Sequence, residues 1–103
     1  MDKPRFEEIK NGRKEIETRA ATIKFVPIAA GDALVFVCGK SKTAKHVKKK
    51  WHFKSPTAML KKLPLKRIMP DVKTFTQVRA RYASYPGYEE KIKKYGLFAF
   101  ELE

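Results

Sequence analysis

No apolar run in this chain extends beyond Ala33–Cys38, and glycine or proline interrupts the sequence at short intervals. A membrane span needs about 20 consecutive apolar residues, so the chain is expected to stay out of the bilayer. What remains is a set of short elements joined by turns. The 103 residues suffice for one core and leave none for a second. Hydrophobic residues at 43% place the chain among compact globules. The expectation is one domain over residues 1–103.

The pattern predicts the elements. Phe6 and Ile9 share a stripe of a short helix over Arg5–Lys10, which Asn11-Gly12 stops. Lys14–Ala20 predicts a strand, with Ile16 and Thr18 on one side and Glu15, Glu17 and Arg19 on the other. Gly31-Asp32 turns the chain into Ala33–Cys38, expected as a buried strand. Gly39–Thr43 predicts a turn. Lys45–Phe53 predicts a strand with Val47, Lys49, Trp51 and Phe53 on one face and His46, Lys48, Lys50 and His52 on the other. Ser55 caps a short helix that opens with Pro56 and ends at Pro64. Leu65–Met69 adds one more helical turn. Thr74 caps a helix over Phe75–Ala83, whose stripe is Phe75, Val78 and Tyr82. Tyr88–Tyr95 is a further helix closed by Gly96, and Leu97–Leu102 a strand inside the sheet. The fold class is therefore α+β, a small mixed β-barrel with short flanking helices.

Charge narrows the partners. Lys and Arg total 24 against 11 Asp and Glu, a net +13. Such a surface attracts polyanions, nucleic acid first. No acidic residue occurs from Ala33 to Pro70. That span holds Lys40, Lys42, Lys45, Lys48, Lys49, Lys50, Lys54, Lys61, Lys62, Lys66 and Arg67. Segregated charge suits a surface that tracks phosphates, and a lysine-rich solvated face is the plainer alternative. The candidate nucleic-acid contacts are Lys40, Lys42, Lys45, His46, Lys48, Lys50, His52 and Lys54. Tyr85 joins them as a base-stacking candidate, whereas Tyr82 is expected in the core.

His46 and His52, on one extended strand, lie about 20 Å apart, too far to share a metal. With no other cluster, neither metal nor cofactor is expected. The single Cys38 agrees with a reducing cytoplasm. Met1–Phe6 is charged and carries Pro4, unlike a secretory signal. A cytoplasmic monomer is the expectation.

Three ordered stretches resemble the ASCH family. Phe6–Arg19 resembles its opening helix followed by a Gly-x-Lys-x-x-Glu-x-Arg strand, here Gly12, Lys14, Glu17 and Arg19. Ile28–Phe36 carries the Gly31-Asp32 turn before a strand. From Ser55 onward come a Ser-led helix, Ile68-Met69-Pro70-Asp71, an aromatic-rich helix and the closing Tyr95–Phe100. The resemblance implies a PUA-like barrel with a cleft near the first strand. It also implies nucleic-acid binding, RNA cleavage or, in one branch, amide hydrolysis of N4-acetylcytidine. A fold shared by several activities sets the architecture more firmly than the function.

The candidate cleft residues are Lys14, Glu17 and Arg19, with Asp71 in the place of an acidic partner. Two cations beside a carboxylate can receive an anionic group or assist proton transfer, or simply form an ion pair on a barrel face. Lys14 matches the amidohydrolase branch, but Glu17 stands where that branch has Thr, and Thr18 is expected on the opposite strand face. Lys14 precedes the strand and has no apolar role, so Lys14→Ala is expected to cost no more than a surface change, about 0.5 kcal/mol. The reading is a binder of RNA or single-stranded nucleic acid with a cleft for a nucleotide or nucleoside. The alternative is a hydrolase of RNA or of a modified nucleoside.

Overall fold

The computed structural model describes residues 1–103. The chain runs α1 (Lys3–Lys10), β1 (Ile16–Ala20), a 3-10 turn (Ile23–Phe25), β2 (Ala33–Cys38), β3 (Ser41–Phe53), α2 (Pro56–Leu60), α3 (Leu65–Ile68), α4 (Phe75–Ser84), α5 (Tyr88–Tyr95) and β4 (Leu97–Leu102). Local chemistry sets these boundaries. The Asp2 side chain accepts from the Arg5 amide and caps α1, with proline in the first turn. Ser55 caps α2 in the same way through the Ala58 amide. Thr74 and Gln77 cap each other's backbone at the start of α4. Phe75, the first residue of α4, remains 41% exposed, whereas Val78 and Tyr82 are buried as their spacing predicts.

The four strands form one sheet in the order β1-β4-β3-β2. All three pairings are antiparallel. The sheet curls into a half-barrel with short helices around it. The α+β class and the barrel-like curl are as the pattern predicts; the sheet is antiparallel throughout, and β1 and β2 end it without pairing each other. Four strands are too few to close around a filled interior. Helices and the α2–α3 turn cover the open side instead: Met59, Leu63, Ile68, Val78 and Ile92 pack with Ile16, Ala20, Leu97 and Ala99 in the main core. The opposite sheet face buries Val47, Phe98 and Phe100. Beside it, α1 seals Phe36 beneath Phe6 and Ile9.

Two strands depart from the sequence pattern. Ala33–Cys38 is not a buried strand: only Phe36 is buried, while Val35 and Val37 are 61% and 42% exposed. As an edge strand, β2 has one covered face, and its continuous apolar run overstates its burial. The turn to β3 is also tighter than expected, because Cys38 already pairs with Ser41. Gly39, at φ 59, takes the first central position of that two-residue turn, which suits glycine.

In β3, Val47 pairs with Leu102, yet Lys49 pairs with the adjacent Glu101. Lys48 is thus an extra residue, a β-bulge. A one-residue slip exchanges the two faces of a strand. Val47 consequently faces the Phe98 and Phe100 side, while Trp51 and Phe53 pack with the main core on the other. Lys50 and His52 share Val47's face, and His46, before the bulge, lies on the opposite one.

Candidate functional site

A cleft of about 270 Å³ opens along the β1 edge. Its walls are Arg5 of α1, Arg81 and Tyr82 of α4, Tyr85 and Pro86 of the α4–α5 turn, and Tyr88 of α5. Lys14, Glu17, Thr18 and Arg19 line it from β1 and the residues just before that strand.

The pattern of β1 explains how these four side chains meet. Glu17 and Arg19 share a strand face, and an Arg19 guanidinium nitrogen lies 3.0 Å from Glu17 Oε2. Lys14 precedes the strand, and its Nζ comes within 3.7 Å of Glu17 Oε1. Lys14 is no surface residue: it is 6% exposed and donates from Nζ to the Ile68 carbonyl. The expectation that it is dispensable for folding is thereby corrected. The reason is the turn after α1, where the Lys14 amide bonds the Glu8 carbonyl and carries the side chain inward. Burial lowers the Lys14 pKa, against the pull of Glu17 and Glu8.

Thr18 also lines the cleft although it belongs to the other strand face. An edge strand presents both faces at its margin, which periodicity alone does not reveal. Its Oγ1 lies 2.6 Å from the Tyr82 hydroxyl. Its amide donates to Glu17 Oε1 at 2.9 Å. Burial raises the pKa of the Tyr82 phenol, which therefore stays protonated.

Asp71 does not lie beside Glu17 as an acidic partner. It receives two hydrogen bonds from Arg81, at 2.6 and 3.0 Å, and one from Arg5 at 3.0 Å. The Arg81 hydrogen bonds hold its pKa down at about 2. Asp71 is a clamp that sets two cleft arginines in place. Arg5 Nε also stands 2.9 Å from Glu8 Oε1. The angle there is not that of a hydrogen bond, so both atoms go without one. Each side-chain cation of the cleft has a carboxylate beside it: Arg5, Lys14, Arg19 and Arg81 are matched by Glu8, Glu17 and Asp71. The site is close to charge-balanced.

Tyr85 lines the cleft and packs edge-on against Tyr88, centroids 5.4 Å apart. Tyr82 is buried as expected, yet its hydroxyl end reaches the cleft. Arg5 and Arg81 were not legible as cleft residues in the sequence, because packing alone brings α1 and α4 to β1.

The basic candidates are not one stripe. Lys40, Lys42, His46, Lys48 and Lys54 are exposed, and Lys45 is half-buried. The bulge parts His46 from Lys50 and His52. Lys50 stands 4.1 Å over the Phe98 ring and donates to the Val26 and Phe25 carbonyls at 2.9 and 3.3 Å. His52 packs on Phe98 with centroids 4.8 Å apart. Pairing places Arg19 opposite Phe98 and Phe98 opposite His52, so cleft and basic face meet across β4. No group of three or more His, Cys, Asp or Glu side chains is placed to hold a metal. No helix is long and apolar enough to cross a membrane.

Two solved structures resemble the whole chain. One is the crystal structure of the hypothetical protein PH0355, a Pyrococcus protein, with a TM-score of 0.84 and 35% identity, covering 100% of this chain and 93% of that one. The other is the solution NMR structure of protein PF0455 from Pyrococcus furiosus, with a TM-score of 0.76 and 35% identity, covering 100% and 91%. The chain belongs to their family. The TM-scores show that this chain shares its overall fold with both proteins. No protein-family model matches the chain, and no curated protein does.

Proposed function

We propose that this protein is an ASCH-type, PUA-like domain that binds RNA or another single-stranded nucleic acid, with one base or nucleoside seated in the β1 cleft. One observation carries the reading: the only lysine paired with a carboxylate is Lys14 in the cleft. The lysines between Ala33 and Pro70 keep their charge unneutralised. Free lysines gather phosphates and release counterions, which gives sequence-independent affinity. The cleft supplies the other half. Its balanced charge and tyrosine wall suit the polar edge and flat face of a base better than a naked phosphate. Its volume, about 270 Å³, lies near the lower end for small-ligand sites.

The test is titration of the protein with RNA, single-stranded DNA and free nucleosides, followed by NMR shifts. Strands should move the lysine-bearing β2–β3 hairpin, and nucleosides the tyrosines of α4 and α5. If neither moves, the reading falls.

A second reading, a hydrolase of RNA or of a modified nucleoside, rests on the convergence of Lys14, Glu17 and the Thr18 hydroxyl in one cleft. A pure binder tolerates Glu17→Gln. A hydrolase loses turnover in that variant and keeps its affinity.

A further inference from the structure

The sheet face that carries Glu17 and Arg19 continues past them as an alternation of cations and rings. Arg19 lies 5.8 Å from the centroid of Phe25, and Lys24 lies 5.6 Å from the same ring. Lys50 then ties the backbone of that loop to the sheet through the Phe25 and Val26 carbonyls. Lys50 in turn covers Phe98, and His52 packs on the same ring. The row ends where a His52 ring nitrogen meets the Tyr95 carbonyl at 2.9 Å and Lys94 stands 5.2 Å over the Tyr95 ring. The Ala21 amide bonds the Gly96 carbonyl, which fixes the start of the Ile23–Val26 loop to the chain next to Tyr95.

The exposed groups along this row are of two kinds. Ile23, Val26 and Tyr95 are 87%, 55% and 45% exposed. Lys24 and Lys94 stand between them, exposed and free of any carboxylate partner. Ile23, Val26 and Tyr95 thus leave apolar and aromatic surface in solvent beside these cations. Cations beside apolar and aromatic side chains are what a single strand engages, through its phosphates and its unstacked bases. A duplex hides those bases and offers phosphates alone.

We propose that this row, from Arg19 over the Ile23–Val26 loop to Lys94 and Tyr95, is the track along which a single-stranded nucleic acid leaves the cleft. The proposal rests on the nucleic-acid reading above and adds a path for the strand and four residues outside the acid-free span. Lys24 and Lys94 hold phosphates, and Ile23 and Tyr95 contact bases. Lys50 is the fastener that keeps the loop on the sheet.

The experiment compares two doubly substituted proteins of equal charge, Lys24→Gln/Lys94→Gln and Lys10→Gln/Lys73→Gln; all four lysines are exposed, and Lys10 and Lys73 lie outside the acid-free span, the cleft and the row. Each is titrated by anisotropy with a labelled single strand of about 8 nucleotides, within the range one small domain covers. RNA, DNA and the matching duplex serve as separate arms. The track double should lose about tenfold in affinity for the single strand and lower the salt slope by about 1 to 2. The control double should change affinity by less than about threefold, and the duplex should bind both proteins alike. Ile23→Ser and Tyr95→Ser, which leave the charge intact, should weaken single-strand binding without moving the salt slope. Equal losses in the two doubles would overturn the track while leaving nucleic-acid binding in place. A parent protein that binds no strand at low salt would overturn the nucleic-acid reading, and the track with it.

Discussion

Gly96 approaches Phe53 so closely that a Cβ on it would lie 2.4 Å from the Phe53 carbonyl oxygen. Gly96 also stands at φ 84 and ψ −163, a region that side chains essentially exclude. It closes α5 and delivers the chain into β4, the strand between β1 and β3 on which both sheet faces depend. Gly96→Ala therefore meets strain and overlap together and should cost more than about 2 kcal/mol. Urea unfolding measures it. A loss within about 0.5 kcal/mol would show that the β3–β4 junction relaxes freely.

Lys14→Ala is expected to destabilise the protein by about 2 kcal/mol. The change leaves the buried Ile68 carbonyl without its donor and removes one of two cations beside Glu17. The pH dependence has a definite sign. Burial lowers the folded-state pKa, so above that value the unfolded chain binds the proton more readily than the folded one. Stability contributed by this group then rises with pH up to the ordinary lysine range. Lys14→Met should abolish that rise while keeping the volume filled. A parent protein and a Lys14→Met variant with parallel stability–pH curves would show that Lys14 titrates as in solvent.

The sequence made the elements legible where side chain and backbone speak locally. Ser55 and Thr74 as caps, Gly96 as a stop and the apolar stripe of Phe6 and Ile9 all report within a few residues. The pairing of Glu17 with Arg19 was legible too, because strand period alone sets it. What depends on the partner strand was not. Lys48 becomes a bulge only by its register against Glu101 and Leu102, so the stripe from His46 to His52 breaks without any local sign. The exposure of Val35 and Val37 follows from the edge position of β2, which their apolar character conceals. Arg5 and Arg81 enter the cleft from helices distant in sequence, and Asp71 is spent on holding both arginines.

Asp71 titrates on its own signature. Its carboxyl is held down at about 2, chiefly by the Arg81 hydrogen bonds. The stability it contributes is complete above the ordinary Asp value of about 3.9 and is lost as pH falls toward 2. Asp71 is about one-third exposed, and solvent screening keeps the pair's contribution near or below about 1 kcal/mol. Asp71→Asn should remove that part of the acid transition and loosen Arg5 and Arg81, broadening the NMR signals of both guanidinium groups. Unchanged arginine signals would show that other contacts position them.

The cleft should hydrolyse N4-acetylcytidine slowly if at all. Amide cleavage needs either a covalent nucleophile or an activated water. The available hydroxyl is Thr18, whose Oγ1 is bound to the Tyr82 phenol at 2.6 Å. That phenol is raised in pKa by burial and cannot act as a base near neutral pH. Glu17 is the remaining base, but Oε2 is taken by Arg19, and Oε1 by the Thr18 amide with Lys14 alongside. A carboxylate so engaged orients a water poorly. Lys14 stands ready to stabilise a developing oxyanion, so the deficit lies with the nucleophile. Glu17→Thr would place a hydroxyl in the same cleft next to Lys14 and should raise turnover above the parent. Incubation with the nucleoside, with cytidine followed by chromatography, measures both proteins. Rapid release by the parent, abolished in Glu17→Gln, would sink this account and make the hydrolase reading the leading one.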